Sequence, residues 1–315
     1  MWAFLNRVVV FLYMQIRPTI KWIMRSVTHL CELQRICYGT EPGYRRTRDL
    51  EWSMQMSRTT AIRAICERLK QMADEGRFSK EQSNNAVECA VMGIAYIKKV
   101  NPQIHSEFIR SLRRSILQMF GYRHLMVQVE RLRKVQFMAQ DPEHLNKLLR
   151  LWKLLRPDEH LMGPVSKQWT TIGFQGDDPR TDFRGMGMLG LDNLVFFATE
   201  YTDVARHVLS HSQHPEYGYS FAIVGINLTS LLYHLLMKGQ LKSHLYNAAS
   251  ERAQVTDFHR TYCYVFFEFD RLWLAEKPTD IMEFNRIRDK FEDYLTQMLE
   301  KDSCLLRLNE RVKIV

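Results

Sequence analysis

Apolar residues recur along this chain with the 3.6-residue period of a helix rather than the two-residue alternation of a strand. Ile104, Phe108, Leu112, Ile116 and Phe120 form one stripe, with Gly121 placed to close it as the residue after a helix end. Leu145, Leu148, Trp152 and Leu155 form a second, stopped before Pro157. Tyr262, Val265, Phe266, Phe269 and Trp273 mark an aromatic helix, and Phe284, Ile287, Phe291, Leu295 and Met298 another. No segment sustains strand-like alternation, and Asn-Gly hairpin signals are absent. The pattern predicts an all-α fold without internal repeats.

Two segments depart from ordinary amphipathic helices. Residues 217–237 carry no charge, and their length alone would permit a bilayer span. Asn227, Thr229, Ser230 and His234 interrupt the second half, while Val224, Leu228, Leu231 and Leu235 keep helical spacing. A buried core helix is the expectation, with Asn227 and His234 satisfied inside the protein. Residues 1–31 contain Arg7, Arg17, Lys21 and Arg25 and no acid. Their apolar run is too short to cross a membrane. Trp2, Phe4, Phe11 and Trp22 suit insertion at a membrane surface. A mitochondrial targeting signal and a first helix packed on the body are the other readings.

At 315 residues the chain can bury a core without staples. Its net charge of +9 is concentrated in the front half: residues 1–160 hold 27 basic and 15 acidic side chains. That asymmetry suits an anionic surface, lipid or nucleic acid, or simply a solvated face. The six cysteines form no CxxC pair, so reduced thiols are expected, with Cys263 in the core. His207, His211 and His214 give HxxxH plus a third histidine but lack an intervening glutamate. They read as a surface cluster rather than a zinc site. Residues 185–190 match GxGxxG without a preceding strand, and no GxxxxGK[ST] occurs. Neither dinucleotide binding nor a P-loop is supported.

The least ordinary stretch is WTTIGFQGDDPRTDFRGMGMLGLDNLVFF, residues 169–197. It breaks the helical period and gathers five glycines, Pro179 and three aspartates around Arg180 and Arg184 before a helix restarts at Leu189, Leu194 and Phe197. An irregular loop this rich in glycine commonly carries function. Read from residue types alone, Asp182 and Arg184 could form a buried ion pair that holds the loop, or Arg184 could act on an anionic partner.

This block, with GFQGDDPRTDFRGMGMLGL at its centre, resembles the signature of the ELMO domain. The likeness continues through HPEYGYSFAIVGINLT at 214–229, FHRTYCYVFFEFDRLW at 258–273 and CELQRI at 31–36. Feature order and length resemble the short GTPase-activating members of the family, not its longer engulfment scaffolds. The resemblance implies an all-α ELMO domain over residues 136–305, preceded by a targeting or membrane-associating start at 1–40 and a helical region at 41–135, and followed by a tail at 306–315. It also implies a regulator rather than an enzyme in its own right. The short members stimulate GTP hydrolysis by Arf and Arf-like GTPases in their GTP-bound state, with no cofactor or metal of their own. The family's required arginine falls on Arg184 of DFRG. Trp169, Gly173, Phe174, Gln175, Gly176, Asp178, Pro179, Thr181, Asp182, Phe183, Gly185 and Gly187 are then the motif residues that support it. By residue type, Asp182 could orient the guanidinium, Gln175 could brace the loop, and Gly185 could let the backbone approach a nucleotide. Arg180 is expected to be exposed. The other implied role is a non-catalytic adaptor that binds a small GTPase or a Dock-type exchange factor. No nucleic acid is expected. The expected location is the cytoplasmic side of endomembranes (endoplasmic reticulum or lipid droplets) or mitochondria, with a cytosolic pool.

Overall fold

The helical periodicity becomes thirteen α-helices and three short 3-10 turns, with no strand among the described residues. The computed structural model describes residues 2–308, with side chains from residue 15 onward except at 281. The side chains of Trp2, Phe4, Arg7 and Phe11, and the expected tail from 309 on, lie outside the described residues.

The order is α1 (Trp2–Thr28), α2 (Glu32–Gly39), α3 (Tyr44–Gln55), α4 (Thr60–Asp74), α5 (Lys80–Ile97) and α6 (Ser106–Lys134). Then come α7 (Pro142–Leu155), α8 (Gly187–Glu200), α9 (Thr202–Ser212), α10 (Phe221–Met237), α11 (Lys242–Ala248), α12 (Val255–Glu276) and α13 (Phe284–Leu299). Helix α6, about 44 Å long at 1.5 Å per residue, belongs to two cores. Its front half gives Phe108, Leu112 and Ile116 to a core shared with α2–α5. Its back half gives Tyr122, Leu125 and Val129 to the core built by α7–α13. Helix α8 sits centrally in that second core, against α6, α7, α9, α10 and α12.

Several expectations change on contact with the structure. Gly121 does not end a helix: α6 runs through it. A Cβ there would stand 2.6 Å from the Cβ of Arg252, so the glycine serves a close approach between distant segments. Ile104 lies before α6 and is exposed, so that stripe begins at Phe108. His234 is exposed and bonds back to the Ser230 carbonyl at 2.7 Å. The uncharged segment does become the core helix α10, with Val224, Leu228, Leu231 and Leu235 buried. Asn227 donates to the Ile223 carbonyl at 2.9 Å.

Buried polar groups tie the second core together. The Nδ1 of His259 donates to the Asn193 side-chain oxygen at 2.6 Å, Asn193 donates to the Thr229 hydroxyl at 3.0 Å, and Thr229 donates to the Gly225 carbonyl at 3.0 Å. One thread thus crosses α12, α8 and α10. His244 accepts the Leu306 amide at 3.0 Å and contacts the Thr261 hydroxyl at 3.0 Å, pinning the C-terminal strap. His211, expected at the surface, instead lids the buried Asp270 carboxylate at 2.7 Å, which also accepts the Tyr219 hydroxyl at 2.6 Å. All six cysteines are free thiols, and Cys263 is buried.

Burial holds both His244 and His259 down at about 4. The unfolded chain therefore takes up these protons first as pH falls through the ordinary histidine range. Their stabilising contribution is complete above about 6.5 and is lost as pH falls toward about 4. The melting temperature should drop through this window, and His244→Gln with His259→Gln should flatten the drop. An unchanged slope in the double variant would show that other groups set the acid sensitivity.

Candidate functional site

The segment between α7 and α8 is irregular in period but not loose. Trp169, Phe174 and Phe183 are all buried. They form a continuous row of rings: Trp152 to Trp169 at 5.4 Å, Trp169 to Phe174 at 5.6 Å, Phe174 to Phe183 at 5.7 Å and Phe183 to Phe137 at 5.7 Å. Edge-on and tilted contacts at such distances add to ordinary apolar burial. The motif therefore spends its aromatics on anchoring, not on ligand contact.

Backbone docking fixes the two ends of the motif. Gly173 has φ +85°, and a Cβ would run into the Phe221 backbone. Its carbonyl accepts the Ile223 amide at 3.1 Å, locking the loop to the start of α10. Gly187 has φ +51°, and a Cβ would strike the Arg133 and Val135 carbonyls. The next amide, Met188, donates to Val135 at 2.8 Å. Only glycine combines such backbone angles with such proximity.

One 3-10 turn, Lys167–Ile172, runs up to Gly173, and a second, Pro179–Arg184, lies between the two glycines. Ser166 caps the first through the Gln168 amide at 3.2 Å. Asp178 caps the second through the Arg180 amide at 3.1 Å, with Pro179 as its first residue, where no amide donor is needed. Thr181 donates to the Asp178 carbonyl at 3.2 Å. The Asp182 carboxylate accepts the backbone N–H of Gln175 at 3.0 Å and makes no pair with Arg184. Burial pushes the Asp182 carboxyl up, against that amide, the Thr181 hydroxyl and the charge of Arg184.

Four arginines surround this loop. Arg133 forms a two-point pair with Glu130, at 2.7 and 2.9 Å. Tyr233 donates to the same carboxylate at 2.7 Å, and Arg133 reaches the Gly185 carbonyl at 3.5 Å. These bonds hold Glu130 well below the carboxylate range, at about 2, with Arg133 the largest cause. Arg156 lies 3.5 Å from Glu159 and bonds the Thr171 carbonyl. Arg180 is exposed and pairs with Asp178 at 2.8 Å. Arg184 is exposed and, alone of the four, has no hydrogen bond or ion pair among the described residues. The buried Asp182–Arg184 pair considered from the sequence does not form.

Gly176 and Gly185 differ from the two docked glycines. A Cβ at either would meet nothing within 4 Å, and Gly185 has ordinary right-handed angles. Packing does not require glycine at these positions, and Gly185 leaves open space next to Arg184 in the chain. Glu130, Arg133, Tyr233 and Val135 were not singled out in the sequence. They lie roughly 50 residues from Arg184 on either side, and no spacing signal links them to it. The unusual tolerance that Gly187 demands was the one local hint.

Comparison with known proteins agrees with this architecture. The ELMO/CED-12 family model matches residues 127–288, from within α6 to α13. ELMO domain-containing protein 1 of Mus musculus is 43% identical over 303 residues, covering 91% of this chain and 89% of that protein. ELMO domain-containing protein 2 of Bos taurus is 41% identical over 279 residues, covering 89% and 90%. ELMO domain-containing protein B of Dictyostelium discoideum is 34% identical over 280 residues, covering 88% and 93%. The chain is an all-helical protein that belongs to the ELMO/CED-12 family.

The two kinds of glycine separate in stability. Gly173→Ala forces a backbone collision and should cost more than about 2 kcal/mol. Gly176→Ala and Gly185→Ala should stay within about 0.5 kcal/mol of the parent. Urea unfolding measures all three, and equal losses would contradict the docking account.

Proposed function

We propose that this protein is a GTPase-activating protein for Arf or Arf-like small GTPases, acting on the GTP-bound state through Arg184 supplied in trans. The observation that carries the proposal is an exposed arginine with no hydrogen bond or ion pair among the described residues, at the end of a turn that lies between two docked glycines. The motif's likeness to the short GTPase-activating members supports the same reading.

Phosphoryl transfer needs positive charge where negative charge develops, on the γ-phosphoryl and leaving oxygens. A guanidinium is always protonated and donates in a planar fork. One delivered in trans accelerates hydrolysis by roughly 10³–10⁵, which is about 4–7 kcal/mol of barrier. An arginine already paired to a carboxylate would first have to break that pair. Arg184 has none to break, whereas Arg133 and Arg180 do. The open space over Gly176 and Gly185 gives a partner's backbone room to approach. The GTPase brings its own GTP and Mg²⁺, so this chain needs no cofactor. Peripheral membrane contact through residues 1–31 belongs to the same proposal. It puts the protein on the cytoplasmic face of endoplasmic reticulum, lipid droplets or mitochondria, beside a cytosolic pool.

Single-turnover GTP hydrolysis against a panel of purified small GTPases tests this directly. Arg184→Ala and Arg184→Lys should both lose most of the acceleration, because lysine keeps the charge but not the fork. Both should keep the parental melting temperature, since Arg184 holds nothing in the fold. Arg180→Ala should retain much of the activity. A folded Arg184→Ala protein that still accelerates hydrolysis would sink the assignment, and a panel on which the parent binds without accelerating would favour the adaptor role.

A further inference from the structure

The described half of α1 is amphipathic in the reverse sense for a helix packed on a protein body. Its cations Arg17, Lys21 and Arg25 recur at four-residue spacing; Arg17 and Lys21 turn inward, while Arg25 stays exposed. Arg17 is 4% exposed. It donates to both Glu32 oxygens at 3.1 and 3.2 Å and to the Met56 carbonyl at 3.2 Å, and it lies 4.1 Å over the Trp52 ring. Lys21 pairs with the same Glu32, and Arg25 donates to the Lys98 carbonyl at 3.2 Å. The apolar residues turn outward. Ile16, Ile20, Ile23 and Val27 are 54%, 44%, 48% and 72% exposed. At 100° per residue they fall within about 60° of one another, a row roughly 17 Å long.

We propose that this outward row is the face by which the protein lies on an anionic lipid surface. The inference refines the membrane contact proposed above and is independent of Arg184. Residues 1–31 contain no acid, and the first one, Glu32, is engaged inward by Arg17, Lys21 and Ser53. Arg25 and Lys99 are exposed, and Lys98 lies within electrostatic reach of Lys21. Trp22 and Tyr96 add two aromatic rings, 71% and 86% exposed. An exposed apolar row on a helix that also exposes Trp22 and Arg25, in a segment without acids, matches the boundary between headgroups and acyl chains. A second copy of this chain fits less well, because a two-fold contact brings together two copies of one surface with the same positive charge. No single helix among the described residues is long and apolar enough to cross a bilayer, so the geometry is that of lying on the surface. The inward clamp of Glu32 fixes which side of the helix faces the lipid, and therefore how the body sits above it.

Co-sedimentation of the full chain with phosphatidylcholine vesicles, with and without phosphatidylserine, tests the proposal. The parent should bind the phosphatidylserine vesicles more tightly, and salt should weaken that binding. Ile20→Glu with Ile23→Glu should lower vesicle affinity by about tenfold or more, at an unchanged melting temperature and unchanged hydrolysis in vesicle-free buffer. Failure of the parent to bind either vesicle overturns both this proposal and the broader membrane contact. Undiminished binding by the double variant leaves the contact standing but overturns the row as its basis. Equal, salt-insensitive binding to both vesicles overturns the anionic preference. A dimer seen by light scattering and abolished by the double variant, without vesicle binding, overturns the lipid in favour of a second copy.

Discussion

Two backbone contacts with no room for a side chain hold the loop on which the proposed activity rests. At Gly173 the loop meets the start of α10, and at Gly187 it meets the last turn of α6. Each contact joins elements that are remote in sequence, and each is closed by an amide–carbonyl bond near ordinary length. Between them the ring row from Trp152 to Phe137 fills the space under the loop. The loop is thus irregular in backbone conformation and held at both ends. Its polar backbone is satisfied by local caps rather than by a helix or sheet ladder.

Anchoring of the mount and freedom of the side chain are separate properties here. Arg133, Arg156 and Arg180 are each held by a carboxylate or a carbonyl, so their charge serves the fold. Arg184 is mounted on the same backbone and left open to solvent. Delivering such a side chain to a partner costs its rotamer entropy, about 2 kcal/mol. Arg133 and Arg180 would in addition have to give up partly exposed ion pairs, worth about 0.2–1 kcal/mol each. That arithmetic favours Arg184 over its neighbours as the group that leaves the surface. The Glu130–Arg133–Tyr233 cluster reinforces the mount from below, through the Gly185 carbonyl and the carbonyls that face Gly187.

Much of the architecture was legible because helical periodicity is local. The stripes at 108–120, 145–155, 262–273 and 284–298 became helices α6, α7, α12 and α13. The uncharged run became α10, since its polar residues were few and its apolar ones kept one period. Gly121 misled because its use depends on Arg252, which no local pattern connects to it. The motif's importance was visible in its composition, but the pairing of Asp182 with Gln175 and the solitude of Arg184 were not. Residue types alone allowed either a buried pair or a free finger. In the same way, the acid-free start announced a basic helix. Which way it faced depended on Glu32 and Trp52, outside that segment.

The central claim is that a free Arg184 on a fixed mount completes the charge stabilisation of phosphoryl transfer in a partner. The measurement closest to that claim is complex formation between this protein and a responsive GTPase loaded with GDP and aluminium fluoride, a mimic of the transferring phosphoryl group. The account predicts an aluminium-fluoride-dependent complex with the parent protein and its loss with Arg184→Ala, because the arginine's contribution appears only with transition-state charge. A complex of equal affinity with Arg184→Ala, still dependent on aluminium fluoride, would contradict it.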